Sequence, residues 1–181
     1  MGDAEISGWE PRWRPAREQL TEQRSALRSL RGHRFVNSWL VWNLALDEWF
    51  ADLTVILAFD DGRHLEVCWQ KFDDLSITWN TVDVAVAPLA WVTWPLAWRS
   101  RAHKALRAVA DSTVSELAST GHELTIGSSE PSSGTRSHAM WLTGGLWFGT
   151  GVSGLHIYNA LDENGLSNDV EAGRERRTLL L

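Results

Sequence analysis

Residues 53–69, LTVILAFDDGRHLEVCW, decide the predicted fold class. Two runs rich in β-branched and aromatic residues flank DDG at 60–62, and Asp-Gly between such runs is the strongest short-range signal for a β-hairpin. Further strands are predicted at 35–46 and 75–80, before and after this hairpin. Because the links between these segments are short, the pattern favours an antiparallel sheet over a parallel one.

The alternation of side chains along these strands assigns their two faces. One face is apolar throughout and is predicted to be the core face: Leu53, Val55, Leu57, Phe59, Leu65, Val67, Trp69, Leu75, Ile77 and Trp79. The other face is half polar: Thr54, Ile56, Ala58, His64, Glu66, Cys68, Gln70, Ser76, Thr78 and Asn80. This pattern is typical of an antiparallel sheet that is packed on one side and solvated on the other.

Two helices are predicted around the sheet. Residues 15–31 are rich in helix formers, begin with a proline and are followed by Gly32, as expected of an N-terminal helix. From about Leu96 to Ala118 the apolar residues recur at helical spacing, which predicts a central helix.

The predicted fold class is therefore α+β, with an antiparallel sheet of about six strands covered on one face by an N-terminal helix and a central helix. The last two strands are expected around 142–148 and 154–159, in the glycine-rich part of the chain. Residues 14–168 are predicted to form a single domain, with flexible tails at 1–13 and 169–181.

Composition narrows the class of protein. The chain has 181 residues, of which 44% are hydrophobic and 22% charged, and its twelve tryptophans should dominate the core. No run of apolar residues is long enough for a transmembrane helix, and the polar N-terminus does not resemble a secretory signal. The single cysteine, Cys68, excludes an internal disulfide. We therefore expect a cytoplasmic protein.

The charge is acidic and unevenly distributed. The net charge is −6, and residues 35–98 hold nine acidic side chains but only two basic ones, Arg63 and Lys71. Phosphate contacts need clustered Lys and Arg, so this surface argues against nucleic-acid binding. An acidic surface suits a basic protein partner.

No motif predicts a metal, a cofactor or a catalytic group. The six histidines lack the HxxxH and HExxH spacings, and one thiol cannot build a structural zinc site. His64 and His156 would meet only if their strands pair. Cys68 lies in the middle of a strand, where a thiol is generally inert. The glycines of GGLWFGTGVSG at 144–154 lack the P-loop pattern.

Three functions stay open. The favoured one is a non-catalytic module that binds a basic protein, as small acidic bacterial antidotes of nuclease toxins do; the comparison concerns charge and size alone. The first alternative is a small-molecule binder or enzyme that uses the polar sheet face, and the second is a subunit that self-associates through exposed tryptophans or the leucines at 179–181. The candidate binding residues for the first two functions are His64, Glu66, Cys68, Thr78, Asn80, His156, Tyr158, Asp162, Glu163 and Asn164.

Overall fold

The computed structural model describes residues 6–89, 94–126, 138–151, 153–169 and 175–179. In these residues two helices and twelve strands follow one another: β1 (Arg14–Pro15), α1 (Ala16–Arg28), β2 (Phe35–Asn43), β3 (Glu48–Trp49), β4 (Val55–Phe59), β5 (His64–Gln70), β6 (Asp74–Trp79), β7 (Leu96–Ser100), α2 (Lys104–Ala108), β8 (Val114–Ile126), β9 (His138–Thr150), β10 (Gly154–Asn159), β11 (Asn164–Ser167) and β12 (Glu175–Leu179).

The strands form two antiparallel sheets. The first has the order β1-β6-β5-β4-β2-β3, with β7 also paired to β2, and the second has the order β11-β10-β9-β8-β12. A mostly antiparallel structure with two helices agrees with the predicted α+β class. The prediction of one sheet of about six strands is wrong, because the described residues already contain seven strands in one sheet and five in the other.

The main core lies between the two sheets and α1. The predicted hairpin is β4–β5, and its turn places Gly62 at a φ of +85°, where glycine is favoured. The predicted core face is confirmed from Val55 to Ile77, and Trp79 packs partly buried against it. The other side is supplied by the apolar stripe of α1 and by the inner face of the second sheet, which includes Leu146, Phe148, Leu155 and Ile157.

The prediction that the second face of the first sheet is solvated is wrong. Its side chains from Thr54 to Thr78 are largely buried, and Ile56 belongs to a second apolar cluster on that side. The cover comes from the loops next to the strands, which supply Phe50, Leu53 and Val82, and from the more distant Ile6 and Leu96. Leu53 therefore packs on this second side and not, as predicted, in the main core.

The predicted central helix is also wrong. The segment forms β7, the short helix α2 and the start of β8, with residues at positive φ, Arg101 and Asp111, on either side of α2. A β-bulge lies between Val114 and Glu116, where the pairing with β9 shifts. In a bulge, two residues of one strand lie opposite a single residue of the next, which shifts the alternation of side chains by one. Val114 and Leu117 therefore both point into the core although they are three residues apart. A spacing of three residues is also typical of one face of a helix, which is why the sequence predicted one.

The tails predicted at 1–13 and 169–181 are described in part. Ile6 is buried in the second cluster, and β12 pairs with β8. Residues 1–5, 170–174 and 180–181 lie outside the described residues, so the domain bounds stay a prediction.

Within the described part of the chain, no helix combines the length and the apolar character that crossing a membrane requires.

Candidate functional site: the hairpin-tip surface

The predicted polar sheet face does not exist as one surface. His64, Glu66, Cys68 and Thr78 point to the outer side of the first sheet, whereas His156 points to the outer side of the second, because their neighbours along each strand enter the core between the sheets. The two histidines therefore do not meet. No group of three or more metal-ligating side chains occurs among the described residues.

Glu66 is a structural acceptor. Only 1% of it is exposed, and its carboxylate accepts hydrogen bonds from the backbone N–H groups of Thr81 (2.7 Å) and Val82 (2.9 Å). The hydroxyls of Thr81 (2.5 Å) and Thr78 also donate to it. Asn80 accepts from the His64 N–H at 2.7 Å. These bonds hold the loop after β6 against the sheet. The Glu66 carboxylate is thus hydrogen-bonded within the protein.

Cys68 is equally unavailable for chemistry. Burial raises the pKa of its thiol to about 12, so the reactive thiolate is absent at neutral pH. Its neighbour is Asn164, whose side-chain N–H approaches the sulfur at 3.6 Å. The position is that of a small core residue.

His156 and Tyr158 lie over glycines of the neighbouring strands. His156 is 2% exposed, its Nε2 lies 2.7 Å from the Thr120 hydroxyl, and a Cβ at position 145 would collide with its ring. The Tyr158 ring covers Gly165 in the same way. Rings that fill glycine gaps form a packed layer and not a pocket.

The remaining predicted residues lie at one end of the molecule, where two asparagines join three turns. Asn159 donates to the backbone carbonyls of Lys71 (2.6 Å) and Phe72 (3.3 Å), which links the β10–β11 turn to the β5–β6 turn. Asn164 donates to the carbonyls of Ala51 (2.7 Å) and Leu53 (3.0 Å) in the loop before β4. Each turn is thus held by side chains that lie far away in sequence.

The joined turns expose two large apolar side chains. Phe72 is 62% exposed and Leu161 is 85% exposed. Leu161 and the next residue, Asp162, also have positive φ angles of 65° and 80°, a region that costs a residue with a side chain roughly 1–2 kcal/mol. Neither the exposure nor the backbone conformation helps the fold.

Acidic side chains without a basic partner surround these two residues. Asp52, Asp73, Asp162 and Glu163 form no ion pair within the described residues. At the opposite end of the same sheet, Asp60 and Asp61 are paired with His33 (3.0 and 3.4 Å) and Asp61 also with Arg63 (2.6 Å). We call the group Asp52, Phe72, Asp73, Leu161, Asp162 and Glu163 the hairpin-tip surface.

The pKa values of two of these acids are raised by their surroundings. Partial burial raises the pKa of Asp52, and burial together with the neighbouring carboxylates Asp74 and Glu18 raises that of Asp73. A raised carboxyl pKa means that the native surroundings disfavour the negative charge. The surface is therefore not arranged for stability alone.

Sequence reasoning found only part of this surface. Asp162 and Glu163 were predicted, whereas Asn164, predicted with them, is 2% exposed and acts inside the fold. Asp52, Phe72, Asp73 and Leu161 were missed. The available signal was a large apolar residue inside each of two turns made otherwise of polar residues.

No protein-family model, no curated protein and no solved structure shows significant similarity to this chain.

Proposed function

We propose that this protein is a non-catalytic binding module that recognises a basic protein through the hairpin-tip surface. The observation that carries the proposal is the exposure of Phe72 and Leu161 among unpaired acids, on turns that Asn159 and Asn164 hold in place. Exposed apolar anchors in a charged rim are the usual composition of a protein-binding site.

Each part of the surface has a distinct role in this proposal. The two apolar side chains supply the buried contact area, and the acids attract Lys and Arg and orient the approach. Because the turns are cross-linked, little conformational entropy is lost on binding. The acids also repel acidic partners, which gives specificity. We place this binding in the cytoplasm, where an unpaired thiol such as Cys68 stays reduced.

The test is a pull-down from native lysate at low and high salt, with mass spectrometry of the retained proteins and calorimetry on the main one. We expect one stoichiometric basic protein that is released by salt. The double variant Phe72→Ala/Leu161→Ala should weaken its binding by about 2 kcal/mol or more, as loss of anchor residues does. Val86→Ala, an exposed apolar residue elsewhere, is the matched control.

A second pair of variants tests the charges. Asp162→Asn/Glu163→Gln should lower both the affinity and its salt dependence, whereas Asp111→Asn, at an exposed acid paired with Arg101 at 3.4 Å, should change neither. Equal binding by wild type and both double variants would refute the proposed surface.

A second candidate function, self-association, has one observation in its favour. Leu44 and Leu46 are 46% and 54% exposed in the β2–β3 turn, and the Leu44 N–H bonds the carbonyl of Pro95, the residue after the 36% exposed Trp94. Light scattering of the wild type and of Leu44→Ser/Leu46→Ser tests this: a dimer that the double variant dissociates would support it, and a wild-type monomer at high concentration would exclude it. Leu180 and Leu181 of the predicted alternative lie outside the described residues.

A further inference from the structure

The outer edge of β6 is only half covered. Strand β1 pairs with it through Arg14 opposite Leu75 and Pro15 opposite Asp74. Before Arg14 the chain leaves the edge, because the Arg12 N–H bonds the Ser76 hydroxyl at 2.9 Å instead of the Ile77 carbonyl that the register would place opposite it.

The backbone groups of Ile77 and Trp79 face this uncovered part of the edge. In an antiparallel pair, alternate residues direct their N–H and C=O groups to opposite sides. Leu75 faces β1, so the residues two and four positions later face the same way. The Gln19 side chain confirms this direction, since its N–H donates to the Ile77 carbonyl at 3.1 Å.

An unsatisfied acceptor lies at the same place. The Gln19 side chain is 1% exposed, and its Oε1 has no hydrogen-bond partner, although its amide touches the edge. Because Gln19 is buried and does not line the adjoining groove, this acceptor marks the part of the edge that helix α1 covers.

A groove of about 220 Å³ lies along the edge, between the segment before β1 and helix α1, and is lined by Glu10, Arg12, Gln23, Ile77, Thr78, Trp79 and Thr81. Glu10 and Arg12 have no ion-pair partner among the described residues. Both residues line the groove. The groove thus presents one negative and one positive group next to a row of backbone donors and acceptors.

We propose that this groove binds an extended segment of another polypeptide, which adds as a strand to the β6 edge. The ligand carries a Lys or Arg and an Asp or Glu two residues apart on one face, opposite Glu10 and Arg12. The Ile77 carbonyl already accepts from Gln19, so main-chain hydrogen bonds to the Ile77 N–H and to the N–H and C=O of Trp79 provide the affinity, and the two charges provide the selection, as in other cases of strand addition. This site is separate from the hairpin-tip surface and does not depend on it.

The test uses the full chain and blocked pentapeptides. The probes are Thr-Lys-Val-Glu-Thr and Thr-Glu-Val-Lys-Thr, one for each strand direction, with neutral Thr-Gln-Val-Gln-Thr as control. In amide NMR spectra we expect one of the charged probes to shift the signals of Ile77, Trp79 and the Trp79 indole. The neutral peptide should bind about fivefold more weakly, as two partly exposed ion pairs would give.

Two variants at Gln23 form the matched pair. Its Oε1 accepts from the Trp79 indole at 2.9 Å, and both substitutions remove that bond. Gln23→Phe fills the groove and should weaken binding by about tenfold or more, through loss of one or two main-chain hydrogen bonds. Gln23→Ala leaves the groove open and should bind like the wild type.

Hydrogen exchange gives an independent readout. In the free protein the amides of Ile77 and Trp79 should exchange faster than those of Ser76 and Thr78, which face β5, and the peptide should slow them. Two results would overturn the proposal: no shift at these amides with millimolar charged peptide, or undiminished binding by Gln23→Phe. Phe72→Ala/Leu161→Ala should leave peptide binding unchanged, so failure here and failure of the proposed function are distinguishable.

Discussion

Asn164 joins the two sheets through three hydrogen bonds of its side chain. It lies in β11 of the second sheet, and its amide donates to the carbonyls of Ala51 (2.7 Å) and Leu53 (3.0 Å) while its Oδ1 accepts from the Trp69 N–H (2.8 Å). All three partners belong to the first sheet or to the loop that enters it. Asn164→Ala removes these bonds and takes this partner from the Trp69 N–H and the Leu53 carbonyl.

The expected loss can be estimated from these three bonds. A hydrogen bond contributes roughly 1 kcal/mol net, and a buried partner left unsatisfied costs roughly 1–3 kcal/mol. The Ala51 carbonyl also accepts from the Asn164 backbone N–H at 3.0 Å, so it is not orphaned. We therefore expect Asn164→Ala to lower the free energy of unfolding by about 3–4 kcal/mol, which is large for a single substitution.

Urea denaturation followed by tryptophan fluorescence measures this difference, with an unchanged m-value as the condition for comparing midpoints. Asn37→Ala is the control, because that half-buried side chain accepts one local hydrogen bond, from the Ser38 N–H at 2.9 Å. This substitution should lower the free energy of unfolding by about 0.5 kcal/mol. A loss below about 1 kcal/mol for Asn164→Ala would refute the reasoning, since it would mean that water replaces the three bonds.

Three further predictions concern titratable groups. Cys68 should not react with a thiol reagent in the native protein between neutral pH and pH 9, and should react fully in denaturant, because its pKa is raised to about 12 by burial. His103 caps α2 by accepting from the Ala105 N–H at 3.2 Å, and burial lowers its pKa below 6.5. Because the unfolded chain binds the proton at a higher pH than the native protein, the free energy of unfolding should rise with pH just below 6.5. His103→Asn keeps the cap and should flatten that rise in urea titrations. Asp73→Asn should stabilise the protein at pH 7 by about 0.5 kcal/mol or less, since the carboxyl is largely in water. The gain should disappear below pH 3.8, where the carboxyl is protonated in both the native and the unfolded state. A destabilised variant at pH 7 would contradict this.

The sequence predicted those features that depend on neighbouring residues. Local turn chemistry predicted the β4–β5 hairpin. Period-two patterns predicted the inward alternation from Val55 to Ile77 and the strand Gly154–Asn159. The central helix was wrong for an equally local reason, because the bulge beside Val114 gives a strand the spacing of a helix.

The features that sequence reasoning missed depend on contacts between distant segments. Nothing in the alternation distinguishes Glu66, whose partners follow the next strand, from a solvated acid at the same position. Likewise the hairpin-tip surface exists because Asn159 reaches a turn 87 and 88 residues earlier in the chain. A pattern of residues in one segment cannot show which other segment will cover or join it.

The two ends of the first sheet show how the same residue type acquires different roles. At the β4–β5 turn, hydrogen bonds from His33 to Asp60 and from Arg63 to Asp61 lower the pKa values of both carboxyls. At the hairpin tips burial and the neighbouring carboxylates raise the pKa of Asp73 instead, so the surroundings disfavour its charged form. A fold selected for stability alone would pair or remove such a charge. A basic partner would supply the missing countercharge, so the raised pKa values and the exposed apolar residues both motivate the proposed binding of such a partner.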